Sequence, residues 1–227
     1  MVALDTLDYE RLILNYLRWK LTDPGSRGSE ATETFNGTGA QVTFTLAHAA
    51  AKYIGAVTIT AVAKNYMEHF TIDLKDSGTV PTVTFRTAPE SGTNNVSITY
   101  GYGSSWVLPF LPEVDATMPI ISLKKITSSS NSLAAGNPGR WYRPVYQVGI
   151  HCRRGKKYTI GGEAYSGAQL ASYLSGQIYT QLQNAGLGEL YQLNNCNLDS
   201  DAWFPYDKED KTIGIADSYS FKFAQRF

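Results

Sequence analysis

The side chains in this sequence whose types could support chemistry are three histidines, two cysteines and one dense basic run. His48, His69 and His151 stand far apart, with no H-x-x-H or H-E-x-x-H spacing. They therefore give no zinc signature, alone or with Cys152 and Cys196. Two cysteines are too few for a disulfide framework, and Cys152 falls in a strand-like pattern where a buried, inert thiol is expected. The segment Asp73-Leu74-Lys75-Asp76-Ser77-Gly78 echoes a calcium loop but lacks its alternating oxygen ligands and closing Glu, so it reads as a strand-end turn. There is no G-x-S-x-G and no phosphate-cradling glycine motif. Carboxylates are scattered, with no local pairing of the glycosidase kind. The expectation is a non-enzymatic protein with no catalytic residues, metal or cofactor.

The basic run is the sharpest electrostatic feature. Arg140, Arg143, Arg153, Arg154, Lys156 and Lys157 fall within 18 residues that contain no acid. Such a run is either a solvated hairpin tip or a positive surface for DNA phosphates or an acidic partner. A complement lies downstream: Asp199, Asp201, Asp207, Glu209, Asp210 and Asp217, with Trp203, Phe204 and Tyr206 among them. In a ring of identical subunits, the basic tip could meet a neighbour's acidic and aromatic segment head to tail. The chain as a whole has 20 basic and 20 acidic residues, so no bulk field draws it to nucleic acid.

Several elements must position these groups. The 227-residue chain, 43% hydrophobic and 18% charged, is long enough for one large domain or two small ones with a real core. Tyr9, Ile13, Tyr16, Leu17 and Leu21 recur at helical spacing and predict a helix over 4–21 with one apolar stripe, stopped by Asp23-Pro24-Gly25. Residues 25–30 have linker composition. From Phe35 to Tyr102 the period changes to two, which predicts five short strands separated by turn residues. Residues 104–118 read as a packed connector. A strand is expected over 120–126, a mobile Ser-rich loop over 127–139, and a strand over 145–152 followed by a basic turn. Ser166 and Gln169 fit an S-x-x-Q capping box that opens a helix whose Leu170, Leu174, Ile178 and Leu182 step by four. A short strand over 187–193 and a last strand over 213–227 complete the reading.

The N-terminus carries acids where a secretion signal needs basic and apolar residues, and no apolar run approaches the ~20 residues of a membrane span. Synthesis and folding in the cytoplasm, with no membrane partner, are expected.

With these residues in view, the outer parts of the chain resemble the tail terminator proteins of tailed bacterial and archaeal viruses. The resemblance rests on an N-terminal helix, MPIISLKKI from Met118, RPVYQVGIHC from Arg143, SGAQLASYLSGQIYTQL from Ser166, and closing strands. It covers about residues 1–24 and 104–227. The extra segment is similar to small β-modules of viral tail and baseplate proteins, through F-x-G-x-G-x…T-F-T-L from Phe35 and A-P-x-x-G from Ala88. The resemblance implies an α+β fold, a small β-sheet flanked by helices, formed by residues 1–30 and 104–227. An all-β sandwich-like module over 31–103 would be inserted in it. It also implies a homo-oligomeric, hexameric ring in the virion that caps the tail tube and joins tail to head. Its partners would be itself, the tail tube protein and a head-side connector, with genomic DNA passing through the channel. The basic run would line that channel or a subunit interface. The alternatives are another neck or head-completion protein, or a carbohydrate- or surface-binding protein whose face is Tyr53, Tyr66, Tyr100 and Tyr102.

Overall fold

A computed structural model describes residues 6–73, 80–109, 117–132, 140–185, 193–204 and 212–225. The chain divides into two compact units. Of the described residues, one unit comprises 6–25 and those from Trp106 onward; the other is Ser26–Ser105.

The first unit begins with α1 (Thr6–Lys20). Its burial is wider than the single stripe predicted: Leu12, Leu14 and Asn15 are buried along with Tyr9, Ile13, Tyr16 and Leu17. A helix covered on most of its circumference is a core element rather than a surface one.

The second unit is all β. Its strands are β1 (Gly28–Gly37), β2 (Thr43–Thr45), β3 (Ala51–Ile59), β4 (Val62–Lys64), β5 (Phe70–Asp73), β6 (Thr82–Phe85) and β7 (Gly92–Gly103). They form two sheets, ordered β1-β7-β3-β4 and β2-β6-β5. Alternate residues of these strands, among them Phe44, Ile54, Val57, Phe70, Val83, Phe85, Val96 and Ile98, share one apolar core. Gly28 lies opposite Gly103, so the unit's entry and exit are neighbours on adjacent strands. At Gly101 a Cβ would come within 2.1 Å of the Tyr53 ring, which explains the glycine there.

After Ser105 the chain returns to the first unit through β8 (Val107–Leu108), β9 (Ile120–Ser132) and β10 (Arg140–Arg153). A hairpin of β11 (Lys157–Ile160) and β12 (Glu163–Ser166) leads into α2 (Gly167–Asn184), and β13 (Leu193–Phe204) and β14 (Thr212–Gln225) close the fold. The five-stranded sheet is ordered β13-β14-β10-β9-β8, antiparallel except for β8 against β9. Along β10 the even-numbered residues Tyr142, Tyr146, Val148, Ile150 and Cys152 are buried, and register places Phe223, Tyr219, Asp217 and Ile215 of β14 on the same face. Both helices lie on that face. Tyr9 of α1 packs its ring against Tyr142 and Phe223 at centroid distances of 5.2 and 4.1 Å. Ser175 of α2 bonds to Asp217, and Tyr16 donates to the Gln181 carbonyl at 2.9 Å, tying the helices together.

The expected α+β class, a small sheet flanked by helices, is overturned. Strands take 58% of the described residues and helices 17%, so the fold is β-rich. The shift comes from segments whose composition hid their pairing. Residues 28–30, read as linker, begin the ten-residue β1; β9 continues through Thr127–Ser132, read as loop; and Asp199–Phe204 belongs to β13. Cross-strand partners decide strand formation for such Ser-, Thr- and Gly-rich pieces. Residues 133–139 of the expected loop and 187–192 of the expected strand lie outside the described residues.

The capping box is present. Gln169 N–H donates to Ser166 Oγ at 3.4 Å and Ser166 N–H to Gln169 Oε1 at 2.9 Å. Ser166→Ala should therefore lower unfolding stability by about 1 kcal/mol. Urea denaturation should show this as a lower midpoint at unchanged slope.

Candidate functional site

β10 divides the basic run. Arg140 and Arg143 sit at one end of the strand and Arg153 at the other. At about 3.3 Å per residue the two groups lie about 40 Å apart. Six neighbours in sequence are thus two surfaces. Arg143 is exposed on the sheet face away from the helices, where Lys222 also lies, its Nζ 4.0 Å from the Trp141 ring centroid.

The other group forms a compact tip. Arg153, Arg154, Lys156 and Lys157 are all exposed. The turn is closed by Lys156 N–H donating to the Arg153 carbonyl at 3.3 Å, and braced by Arg153 N–H donating to the Tyr158 hydroxyl at 3.0 Å. Lys156 Nζ lies 5.4 Å from the Tyr158 ring. The start of α2 presses on this turn: a Cβ at Gly167 would come within 2.3 Å of the Arg153 carbonyl oxygen. No acidic residue occupies the first turn of α2. The positive end of a helix dipole and four exposed cations therefore share one corner of the unit, an arrangement that favours an anionic partner.

The acidic complement is also redistributed. Asp199 is exposed on β13 and accepts from Ser220 Oγ at 2.8 Å. Asp201 is exposed and lies opposite Asp217 in the β13–β14 register. Asp217 is no surface acid: it is fully buried beneath α2, with one oxygen accepting from Ser175 Oγ at 2.7 Å and the other without a partner among the described residues. Burial pushes its pKa up, the Ser175 bond opposes this, and the Asp201 charge adds to it. Trp203 is 51% exposed and Leu198 38% exposed, both on the helix-bearing side of β13 by register with Ile215 and Tyr219. Phe204 ends β13, opposite Gly214; Tyr206, Asp207, Glu209 and Asp210 lie outside the described residues.

Sheet edges are the feature that sequence reading missed. β13 is a terminal strand of the five-stranded sheet. On the opposite side, β8 covers only Ile121 and Ser122 of β9. Beyond them β9 has β10 alone as a partner among the described residues, and its bulged residue Ile126 is 52% exposed. The exposed Ile126 and Leu198 could have signalled this, but only once their strands' places in the sheet were known.

The tyrosines of the carbohydrate alternative do not make an open face. Tyr100 is fully buried, its hydroxyl held by Glu33 and by His48 N–H at 3.2 Å. Tyr102 stacks on His48 at 4.1 Å, Tyr66 packs against the core, and Tyr53 donates to Glu30 at 3.1 Å. Among the described residues, no cluster of His, Cys, Asp or Glu could hold a metal ion, and no helix is long and apolar enough to cross a membrane. Both cysteines are free and buried, and burial raises each thiol pKa to about 12.

Asp217 yields a signed prediction. Its folded pKa is raised, so its contribution to stability is present at acid pH and is lost as pH rises through the folded value. Asp217→Asn keeps an acceptor for Ser175 and removes the buried charge. It should raise the thermal midpoint at pH 7, with the gain shrinking as pH falls into the carboxylate range. Melting curves over pH 4–8 check this; a variant less stable than the parent at pH 7 would show that the fold requires the charge. No family model, curated protein or solved structure matches this chain.

Proposed function

We propose that this chain is a structural, non-enzymatic virion protein of a tailed virus. In this reading it is a tail terminator, or a related neck component, that assembles with its own copies into a ring joining tail to head. The observation that carries the reading is that, among the described residues, the sheet ends at β13 on one side and most of β9 lacks a second partner strand on the other. β13 exposes Leu198 and Trp203, and β9 exposes Ile126. Two different edges on one body suit a heterologous, head-to-tail interface, the kind that closes into rings. An open edge with apolar side chains is otherwise an aggregation hazard. The resemblance of the outer segments to tail terminators supplies the hexameric expectation and the partners: tail tube protein on one side, head-side connector on the other.

The exposed tip at Arg153–Lys157 then meets an anionic surface, either the phosphates of DNA in the channel or acids of a neighbouring subunit. Arg143 and Lys222 belong to a different surface in this scheme, because β10 separates them from the tip.

Native mass spectrometry of the purified protein should show a ring, and electron microscopy should show it capping tail tubes. Leu198→Glu with Trp203→Glu should shift the mass to monomer while the circular dichroism spectrum stays unchanged. A protein that is monomeric at every concentration and does not bind tubes would sink the proposal. For the tip, Arg153→Glu with Arg154→Glu should impair assembly or DNA retention. A DNA contact would show a steeper salt dependence, set by release of counterions from the phosphates, than a contact with a neighbour's acids.

A further inference from the structure

The second unit carries a cleft that the ring reading does not use. It has a volume of about 470 Å³, within the size range of small-molecule sites, and lies beside the β3–β4 turn and the segment after β6. Its polar lining comes from Lys64, Glu68, His69, Arg86 and Glu90, and its apolar wall from Val62 and its neighbours.

The polar groups are held in place. Arg86 donates through both Nε and Nη2 to the Met67 carbonyl, at 3.1 and 2.8 Å, and its Nη1 is unbonded among the described residues. His69 Nδ1 accepts from Asn65 N–H at 3.1 Å, so in the neutral ring Nε2 carries the proton and is a donor. Asn65 Nδ2 also holds Glu68 at 2.8 Å.

Backbone strain is concentrated at the same place. Thr60 and Ala61, the two residues between β3 and β4, have φ of 50° and 62°, and Met67 has φ of 67°. A β-branched residue in the left-handed region is an outlier, and a tight hairpin turn of this kind normally takes Asn-Gly. At Met67 the strained residue is the one whose carbonyl fixes Arg86. Strain that holds side chains in position is a mark of binding sites.

We propose that this cleft binds a neutral sugar. The lining holds two cations, Lys64 and Arg86, and two carboxylates, Glu68 and Glu90, so its formal charges cancel and do not select an ion. It offers fixed donors at Arg86 and His69, acceptors at Glu90, and threonine hydroxyls at Thr60 and Thr87 that can do either. Hydroxyl groups of a sugar both donate and accept, and the C–H face of its ring suits the exposed Val62 and the rest of the apolar wall. The tyrosines named for this role in the sequence reading are packed or bonded elsewhere; the cleft takes their place.

The test is an array of neutral glycans probed with the full chain. Glycans that are retained are then titrated against the parent and the Lys64→Ala/Glu90→Ala variant. These two side chains line the cleft, and neither bonds to another part of the fold among the described residues. Retention of a neutral glycan, with affinity at least tenfold weaker in the variant at an unchanged melting midpoint, is the expected result. No retained glycan, or undiminished affinity in the variant, would overturn the proposal. Binding of inorganic phosphate that is lost in the same variant would also overturn it, by making the cleft an anion site. None of these outcomes depends on whether the chain forms rings.

Discussion

The constraint on which the first unit depends is the double pairing of β10. This strand is hydrogen-bonded to β9 on one side and β14 on the other along nearly its whole length. Because side chains alternate, fixing that register fixes every face at once. Tyr142, Tyr146, Val148, Ile150 and Cys152 must be covered together, and α1 and α2 cover them. Gln147, Arg143 and their partners Lys124, Ser129 and Ser218 are left on the other face. The same pairing sends the chain out of the sheet at Arg153, which places the basic tip against the start of α2. A one-residue slip would move the aromatic set to the polar side and bury Arg143.

That helix-covered face is aromatic rather than aliphatic. Tyr146 meets Phe221 edge to face at 5.7 Å, and Phe221 stacks on Phe223 at 6.0 Å. Large rings bury much area per residue, which suits a sheet covered by only two helices. Among the described residues the hydroxyls of Tyr142, Tyr146 and Tyr219 are buried without partners, and nothing in the structure explains tyrosine there rather than phenylalanine. For Tyr146 and Tyr219, burial is the main cause that pushes the hydroxyl pKa above the ordinary phenol value. Asp217 differs: Ser175 satisfies one oxygen, and Asp201 opposite it adds repulsion rather than relief.

What was legible in the sequence follows from how local each signal is. The Ser166 capping box and the step-of-four stripe of α2 are complete within about one helix, and they read correctly down to Leu182. The alternating strands of the second unit also carry their own signal, because one face of each is core. The extensions of β1 and β9 could not be read this way. Gly28-Ser29-Glu30 and Ser128-Ser129-Ser130 have no apolar alternation, and they are strands only because Tyr102 and Arg143 with their neighbours lie opposite them. The charged run misled for a related reason. Sequence distance equals spatial closeness in a turn but not in an extended strand, and Arg140 to Arg153 is extended. The cleft was invisible because Lys64, Arg86 and Glu90 come from separate strand ends that only the folded sheets bring together.

The edges of the sheets can be compared directly, and the comparison favours β13 as a surface built to be covered. In the second unit, the outer strands β2, β4 and β5 are only three or four residues long. β1 is long, but its exposed side chains are those of Ser29, Glu30, Thr32, Thr34 and Asn36. Short, polar or charged edges are how sheets avoid pairing with strangers. β13 is twelve residues long and exposes an indole and a leucine on one side. Asp199 and Asp201 stand on the same strand, so the edge is charged without being protected: acids repel another copy of β13 but not a β9 edge, where Lys124 and Lys125 stand beside Ile126. Like-with-like pairing is thereby disfavoured and β13-to-β9 pairing left open. That is the selectivity a head-to-tail ring requires, and one that a two-fold dimer built on β13 alone could not use.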